Sequence, residues 1–262
     1  MEGKVASQEP GQPDAALPVF ARDWAIFLDI DGTLLELCDR PSSVVADADL
    51  KALLRILIDR AHGAVALISG RSVGDIERLF SPLPVLAAGQ HGTERRDVHG
   101  RLHRHAVPHS GLRHAASVLA QYARERRGLL LEDKGLALAL HYRNAPQCEP
   151  ETAALMRTLV TELGSQFELQ QGKMVWELKP SGRDKGSVIG EFMREPPFAG
   201  RTPVFIGDDQ TDEFGFEIVN RLGGHSVKVG EGASAARWRL AQATDVRAWL
   251  GAWIAFMERG GG

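Results

Sequence analysis

The stretch Trp24-Ala25-Ile26-Phe27-Leu28-Asp29-Ile30-Asp31-Gly32-Thr33 decides how the rest of this chain is interpreted. Its apolar first half predicts a short buried strand, after which two carboxylates follow one residue apart. Because side chains alternate along a strand, Asp29 and Asp31 face the same point only if the chain leaves the strand between them, and Gly32 permits that turn. Buried acids at a strand end are costly unless a cation or a reaction needs them. Asp-x-Asp-Gly alone is also compatible with an ordinary strand-ending turn.

Composition excludes several classes of function. The chain has 262 residues, enough for one large domain or two modest ones, and a net charge of −3. It carries no broad basic field for nucleic acid and no polybasic run for a membrane surface. No apolar stretch reaches the length needed to span a bilayer. We therefore expect neither a nucleic-acid partner nor a membrane partner.

The first 21 residues and the cysteines bear on location. Residues 1–21 are rich in Gly, Pro, Gln and acids and lack the basic and apolar regions of a signal peptide, so we predict a disordered lead-in. Cys38 and Cys148 are far apart in sequence, which makes a disulfide framework unexpected. A reducing cytoplasm fits best. Nothing in the sequence decides the oligomeric state, and a monomer is our working expectation.

The order of apolar segments predicts the fold class. Short apolar strands are expected at 24–28, 64–68, 84–88, 203–206 and 226–229, with helical patterns between them. This alternation is typical of an α/β fold with a parallel, Rossmann-like sheet, in which ligands bind at the carboxyl ends of the strands. Ser72 is a candidate N-cap for the helix that runs to about Phe80, with Asp75 at the capping-box position.

A different pattern interrupts this alternation at residues 109–178. It reads helix, hairpin, helix, hairpin, which predicts a small α+β unit on an antiparallel sheet. In the strand at 135–143, large apolar residues share one face and small or polar residues the other: Leu136, Leu138, Leu140 and Tyr142 against Ala137, Ala139, His141 and Arg143. We therefore predict a core of 22–108 and 179–262 and an inserted cap of 109–178.

A second acidic group follows the predicted strand at 203–206. Asp208, Asp209 and Asp212 stand there, so up to five carboxylates would meet if this strand lies beside the first. Such a cluster requires a cation or raised pKa values, and all-oxygen ligands favour a hard ion such as Mg²⁺. The alternative is an acidic first turn of a helix, which the helix dipole favours.

The acids indicate phosphoryl transfer without a nucleotide, because no Gly-x-x-x-x-Gly-Lys-Ser/Thr loop is present. Asp29 is the candidate nucleophile, and Asp31 would protonate the leaving alcohol and then activate water. Ser69 would donate to a phosphoryl oxygen, and Lys185 would pair with the phosphoryl group and with Asp29. A helix-capping Ser69 and a solvated Lys185 are the alternative interpretations.

Four segments together resemble the haloacid dehalogenase (HAD) phosphatases. Asp29-x-Asp31-Gly-Thr, Ser69-Gly-Arg71, Lys185-Gly and Gly207-Asp208-Asp209-x-x-Asp212 appear in the order of the four HAD motifs. The resemblance implies Mg²⁺ bound by the Asp29 carboxylate, the main-chain carbonyl of Asp31 and Asp208, with Asp212 behind them. It also implies that the insertion is a C2-type cap, as in sugar-phosphate phosphatases.

Within this superfamily, further residues resemble the trehalose-6-phosphate phosphatases. The segments that carry this likeness are Gly89-Gln-His91-Gly92-Thr-Glu94, Glu132-Asp-Lys134-Gly, His141-Tyr-Arg143 and Glu177-Leu-Lys-Pro180-Ser-Gly-Arg-Asp-Lys185-Gly186. Gln90 departs from the family, which often has Asn there. By resemblance, Glu132, Lys134 and Glu177 would bind glucose hydroxyls. The other implied substrate-binding residues are Arg71, His91, Gly92, His141 and Arg143. A solvated sheet face with surface ion pairs is the alternative.

The resemblance implies a Mg²⁺-dependent enzyme that converts trehalose 6-phosphate to trehalose and phosphate through an aspartyl-phosphate. Two alternatives stay open. One is another HAD sugar phosphatase, acting on sucrose phosphate or mannosyl-3-phosphoglycerate. The other is a non-catalytic sugar-phosphate-binding partner of a trehalose synthase.

Overall fold

A computed structural model describes residues 17–36, 44–105, 109–172 and 174–259. Cys38 and residues 1–16 of the predicted lead-in lie outside the described residues. The chain divides into two compact units. The first comprises Met1–Ile68, Glu77–Leu86 and Lys185–Gly262, and the second comprises Ser69–Ile76 and Ala87–Asp184. The second unit is thus larger than the predicted insertion at 109–178, and the core-and-cap boundaries stay predictions.

The described residues form twelve strands and seven α-helices. The strands are β1 Trp24–Leu28, β2 Val65–Ile68, β3 Leu86–Gly89, β4 Glu94–Arg96, β5 Leu102–Arg104, β6 Leu130–Asp133, β7 Leu138–His141, β8 Phe167–Gly172, β9 Val175–Pro180, β10 Thr202–Gly207, β11 His225–Val229 and β12 Trp238–Leu240. The helices are α1 Ala48–Arg60, α2 Val73–Phe80, α3 His109–Arg124, α4 Glu149–Leu163, α5 Lys185–Phe192, α6 Glu213–Arg221 and α7 Ala243–Glu258. No helix in this described part of the chain is both long and apolar enough to cross a bilayer.

The first unit contains a parallel sheet in the order β12-β11-β10-β1-β2. This parallel sheet with helices between its strands confirms the predicted α/β class. Strand β1 is buried along its whole length, because β10 and β2 flank it. In the β1–β10 register, Leu28 lies opposite Ile206, and the Asp29 amide donates to the Ile206 carbonyl at 3.0 Å. The carboxyl ends of β1 and β10 are therefore adjacent. Strand β12 was not predicted, since three residues are too few to show a period.

In the first unit, aromatic side chains of α7 pack against the start of β1. Trp249 and Trp253 of α7 are buried, and their rings lie 5.5 and 6.2 Å from the ring of Trp24. Phe20 packs 5.8 Å from both Trp24 and Trp249, and the Trp253 indole donates to the Ala21 carbonyl. The end of the segment predicted to be disordered is thus part of the packed structure, because Phe20 supplies apolar area that α7 covers.

The second unit contains two antiparallel arrangements. Strands β3, β4 and β5 pair in sequence, and a turn that contains His99 and Gly100 joins β4 to β5. Strands β6 to β9 form a four-stranded sheet in the order β6-β7-β9-β8. The predicted alternation in β7 is confirmed, because Leu138 and Leu140 are fully buried in an apolar cluster with side chains of α3 and α4. The opposite face of β7, with Ala139 and His141, is left for polar groups.

Candidate active site

Three carboxylates meet at the carboxyl ends of β1 and β10. One carboxylate oxygen from each of Asp29, Asp208 and Asp212 lies within 4.8 Å of the others. The register of β1 and β10 causes this, since Asp29 and Asp208 each follow the end of one of two adjacent strands. Asp29 and Asp212 are almost fully buried. The structure therefore brings the two acidic segments, about 180 residues apart in sequence, to one point, as their alternation with strands indicated.

Lys185 connects two of these acids. Its Nζ donates to Asp29 Oδ1 at 2.8 Å and to Asp212 Oδ1 at 2.6 Å. The side chain is only 2% exposed, and it leaves the first residue of α5. Burial by itself lowers the pKa of Lys185, but Asp212 and Asp29 outweigh burial and raise it well above the ordinary value. Lys185 is therefore a charged amine held between two buried acids, and a solvated Lys185 is excluded.

The site disfavours the ionised forms of Asp29 and Asp208. Burial, together with repulsion from Asp208 and Asp209, raises the pKa of Asp29 to about 7 although Lys185 opposes it. Burial, then repulsion from Asp209 and Asp212, raises the pKa of Asp208 to about 7. A divalent cation would stabilise both ionised forms, and an all-oxygen set suits a hard ion. The donor set thus fits a Mg²⁺-type ion bound by Asp29 and Asp208.

Two glycines allow these side chains to approach the backbone. Gly32 has φ +88°, and a Cβ atom at this position would overlap the Asp208 carboxylate. A Cβ atom on Gly207 would overlap the Asp212 carboxylate in the same way. Each loop therefore needs glycine because an acid from elsewhere in the site occupies the space of a side chain.

Asp212 organises the loop after β10. Its Oδ2 accepts the amide N–H groups of Asp208 and Asp209, both at 2.9 Å. Asp209 Oδ1 in turn accepts the Thr211 amide at 2.8 Å and caps the 3-10 turn Gln210–Asp212. With Lys185 on its other oxygen, Asp212 already has three donors. It is therefore better suited to hold Lys185 and this loop than to bind an ion directly.

Lys228 is a second buried amine that the sequence analysis missed. It lies in β11, next to β10, and its Nζ donates to the main-chain carbonyl of Asp208. Its charge opposes the raised pKa of Asp208. The available signal was a lysine in the otherwise apolar end of β11, Val227-Lys228-Val229, which is easily interpreted as a solvated residue.

Asp31 lies two residues after Asp29 but is not a member of the acid cluster. Among the described residues, its carboxylate is not part of the group formed by Asp29, Asp208 and Asp212. Asp31 is half-buried and forms an isolated bridge with Leu35, while the Gly32 amide donates to the Leu35 carbonyl at 2.7 Å. The turn therefore separates the two acids of the motif. The roles of Asp31 as acid and base, and as a main-chain metal ligand, stay predictions.

In the second unit, the Ser69–Arg71 loop is fixed by its neighbours. The Ser69 amide donates to the Ala88 carbonyl at 2.9 Å, and Ser69 Oγ accepts the Arg71 amide at 3.2 Å. Ser72, not Ser69, caps α2: its Oγ accepts the Asp75 amide and donates to the Asp75 carboxylate, as predicted. Glu94, to which the sequence analysis gave no role, accepts the amide of Val73 at 3.0 Å and so holds the start of α2.

Five of the predicted sugar-binding residues of the second unit form a group of three and a neighbouring pair. Glu177 contacts Lys134 Nζ at 3.1 Å through Oε1 and His91 Nε2 at 3.2 Å through Oε2. Glu132 contacts His141 Nε2 at 2.9 Å. Sheet register explains the grouping, because Glu132 and Glu177 lie opposite Ala139 from either side, and the small Ala139 leaves them room. Arg143 is exposed beyond the end of β7, and Gly92 lies in the turn after β3.

These contacts keep the second cluster charged. Burial alone would raise the pKa of Glu177, but Lys134 and His91 outweigh it and hold that pKa well below its usual range. Burial would lower the pKa of Lys134, yet Glu177 and Glu132 raise it. His141 is the largest cause of the lowered pKa of Glu132. His91 and Glu177 are buried and the Lys134 side chain is only 12% exposed, so a solvated sheet face is excluded for these three residues.

Comparison with known proteins agrees with this geometry. The sequence model of the family described as trehalose-phosphatase matches residues 27–244. The chain is 46% identical to trehalose-6-phosphate phosphatase of Escherichia coli strain K12, over 91% of this chain and 90% of that protein. It is 44% identical to a probable trehalose-phosphate phosphatase of Sinorhizobium fredii, over 82% and 81%.

Solved structures show the same fold. The C-terminal domain of Candida albicans trehalose-6-phosphate phosphatase has a TM-score of 0.80 at 21% identity, over 89% of this chain and 92% of that chain. A trehalose-6-phosphate phosphatase related protein has a TM-score of 0.76 at 28% identity, over 89% and 98%. These likenesses extend over both units of the chain.

Proposed function

This chain belongs to the trehalose-phosphatase family of phosphoric monoester hydrolases, and on that premise we propose that it hydrolyses trehalose 6-phosphate to trehalose and phosphate. The observation that carries the proposal is the meeting of the Asp29, Asp208 and Asp212 carboxylates around the Lys185 amine. A non-catalytic binding protein would have no need to keep this costly group of buried acids.

Asp29 is the nucleophile of the proposed reaction. One of its carboxylate oxygens attacks phosphorus, the bond between phosphorus and the sugar oxygen breaks, and the carboxyl group of Asp31 gives its proton to that oxygen. Trehalose leaves, and an aspartyl-phosphate remains. Water then attacks phosphorus, Asp31 takes the proton of the water, and the bond from Asp29 to phosphorus breaks to release phosphate. Lys185 on Asp29 Oδ1 fixes the orientation of the attacking carboxylate.

A Mg²⁺ ion bound by the side chains of Asp29 and Asp208, and by the main-chain carbonyl of Asp31, would neutralise charge between nucleophile and phosphoryl oxygens. The raised pKa values of Asp29 and Asp208 support this assignment, because each acid gains most from a cation. Asp212 belongs to the site as the residue that holds Lys185.

The remaining roles in the proposal come from the family resemblance. Ser69 would donate to a phosphoryl oxygen, and the buried Lys134 and Glu177 would bind hydroxyl groups of the sugar, with Glu132 beside them. Arg71, His91, Gly92, His141 and Arg143 are further candidates for substrate contact. We expect the enzyme to act as a monomer in the cytoplasm, where trehalose 6-phosphate is its small-molecule partner.

Release of phosphate over a panel of sugar phosphates tests the substrate. The panel contains trehalose 6-phosphate, sucrose 6-phosphate, mannosyl-3-phosphoglycerate and glucose 6-phosphate, each with Mg²⁺ or with EDTA. We expect kcat/KM for trehalose 6-phosphate to exceed the others by at least about 100-fold, because sugars whose hydroxyl groups are placed differently leave buried polar groups of the site unpaired. Similar rates on all four would refute the substrate, and undiminished rates in EDTA would refute the metal.

A nucleophile variant tests the mechanism in the same assay. Asp29→Asn should lower kcat by at least about 10³-fold, since the amide cannot form the covalent intermediate. Asp59→Asn, at an exposed site near the end of α1, is the matched control and should keep wild-type activity. Retained turnover in Asp29→Asn would show that another group attacks phosphorus.

A further inference from the structure

Gln90 carries a buried acceptor atom that has no hydrogen-bond partner in the described part of the chain. Gln90 is 2% exposed, and its Nε2 donates to the main-chain carbonyl of Lys134 at 2.7 Å. Its Oε1 is buried and makes no hydrogen bond to any described residue. The carbonyl of Lys134 can only accept, so the NH₂ group of the amide must face it, and the orientation of the amide is decided.

The backbone around Gln90 is held in an unusual conformation. Gln90 and His91 have φ +48° and +53°, which side chains other than glycine rarely adopt, and Gly92 continues at +100°. The Gln90 amide donates to the Arg71 carbonyl at 2.8 Å, and the His91 amide donates to the Ser69 carbonyl at 3.1 Å. Strained conformations of this kind persist where the surroundings over-determine them, and they cluster at ligand sites.

The turn therefore directs two buried side chains into one cluster. The ring of His91 contacts Glu177, and the amide of Gln90 contacts the backbone of Lys134, whose amine also contacts Glu177. The carboxylate oxygens of Glu177 already accept from Lys134 and His91. Gln90 Oε1 is thus a buried acceptor of this cluster that makes no hydrogen bond to the described residues.

We propose that Gln90 Oε1 accepts a hydrogen bond from a hydroxyl group of the sugar, which makes Gln90 a specificity-determining residue. Through its Nε2 group, the same amide holds the main chain of Lys134 in place. Gln90 would therefore both contact the sugar and position a second residue that contacts it. This inference rests on the proposed function, because it takes the sugar of a sugar phosphate as the ligand. A hydroxyl suits the site since it is a neutral donor and a buried amide oxygen needs a donor.

The test is a double-mutant-type cycle in which a side chain of the enzyme and a hydroxyl group of the substrate are removed singly and together. Wild type, Gln90→Met and the matched control Gln121→Met, on the exposed face of α3, are assayed with trehalose 6-phosphate and its monodeoxy derivatives. In wild type and Gln121→Met, removal of one particular hydroxyl should lower kcat/KM about tenfold. In Gln90→Met the same removal should change kcat/KM less than about twofold, because its partner is already gone. Lys134→Met, assayed with the same derivatives, separates the two roles of Gln90. If the hydroxyl that Gln90→Met uncouples is the one that Lys134→Met also uncouples, the effect comes from the placement of Lys134 and the sugar contact of Gln90 is overturned.

Two further results keep the inference open to refutation. If Gln90→Met does not fold, as judged by circular dichroism, Gln90→Asn replaces it, since Asn tolerates the left-handed conformation and its shorter side chain should also reduce the coupling. Equal losses for every deoxy derivative in wild type and variant would overturn the role of Gln90. Absence of wild-type turnover on trehalose 6-phosphate is a separate outcome, which would refute the proposed function and this inference with it.

Discussion

Lys185 is the residue that makes the acidic site of the first unit possible. Its amine lies 2.8 Å from Asp29 and 2.6 Å from Asp212, and all three side chains are buried. Burial, together with repulsion between the acids, outweighs the nearby amines and raises the pKa of Asp29 and that of Asp208 to about 7. The excess of acids favours a bound cation, and such a cation would in turn attract an anionic phosphoryl group.

Substitution of Gly32 tests whether the close approach of the Asp208 carboxylate requires a glycine at this position. Gly32→Ala should lower the free energy of unfolding by about 2–3 kcal/mol and lower activity, because φ +88° is strained and the new methyl group displaces the Asp208 carboxylate. Gly223→Ala is the control, since Gly223 has φ +75° with nothing within 4 Å. It should cost about 1 kcal/mol and leave activity intact. Equal effects in chemical denaturation and phosphate release would contradict the account.

At the scale of elements, α7 completes the core of the first unit. Its apolar residues recur at helical spacing and are buried: Val246, Trp249, Leu250, Trp253, Ile254 and Met257. Phe20, which precedes β1, extends this packing, with its ring 5.8 Å from Trp249 and 5.9 Å from Phe256. The short apolar run that contains Phe20, residues 15–21, is interrupted by Pro18 and shows no helix or strand period, so its packing was not predicted.

Phe20 should therefore stabilise the contact between α7 and the start of β1. Phe20→Ala should lower the free energy of unfolding by about 2 kcal/mol, less than for a fully buried phenylalanine because Phe20 is only half-buried. Val19→Ala is the neighbouring control, since Val19 is 89% exposed, and it should change stability by less than about 0.5 kcal/mol. If both variants unfold at the same urea concentration, Phe20 does not contribute to the core.

The whole molecule combines two separately stabilised centres, one acidic and one mixed. In the first unit the acids exceed the amines, so an ion should increase stability. In the second unit Glu177, Lys134 and His91 balance one another. The two centres should therefore respond differently to added metal and to pH.

Metal binding should appear in thermal unfolding. Mg²⁺ at ten times its dissociation constant should stabilise the wild type by about 1.4 kcal/mol, and EDTA should reverse the rise in Tm. Asp208→Asn should lose this response, and in EDTA it should be at least as stable as wild type, because it removes one of the repelling acids. A Tm that rises equally with Mg²⁺ in both proteins would exclude Asp208 as a ligand.

Acid should weaken the second unit through Glu177. Its pKa is depressed in the folded protein, so its ionised form stabilises the fold above the unfolded pKa of about 4.3, and this contribution is lost as pH falls toward the folded pKa. Glu177→Gln should be about 3 kcal/mol less stable at pH 7, and its Tm should fall less than that of wild type between pH 5 and pH 3. Glu162→Gln, at an exposed site on α4, should keep the wild-type slope, and an equal slope in Glu177→Gln would refute the linkage.

Most of the strands and helices, the α/β class and the order of the motifs could be predicted from the sequence, whereas the short strand β12 could not. Each of these follows from local information: the length of an apolar run, its period, and the polar residues that end it. The nucleophile candidate and the acids after β10 were found in the same way, and the family resemblance agreed with them.

Which side chains form ion pairs and hydrogen bonds with one another could be read only from the tertiary structure. The contact of Lys185 with Asp29 joins residues 156 positions apart, and the contact of Glu177 with His91 joins residues 86 positions apart. Lys228 on the Asp208 carbonyl and the unpaired oxygen of Gln90 likewise depend on which strands and turns lie together. Burial and electrostatic balance are set by approach in space, and no local pattern in the chain encodes that approach.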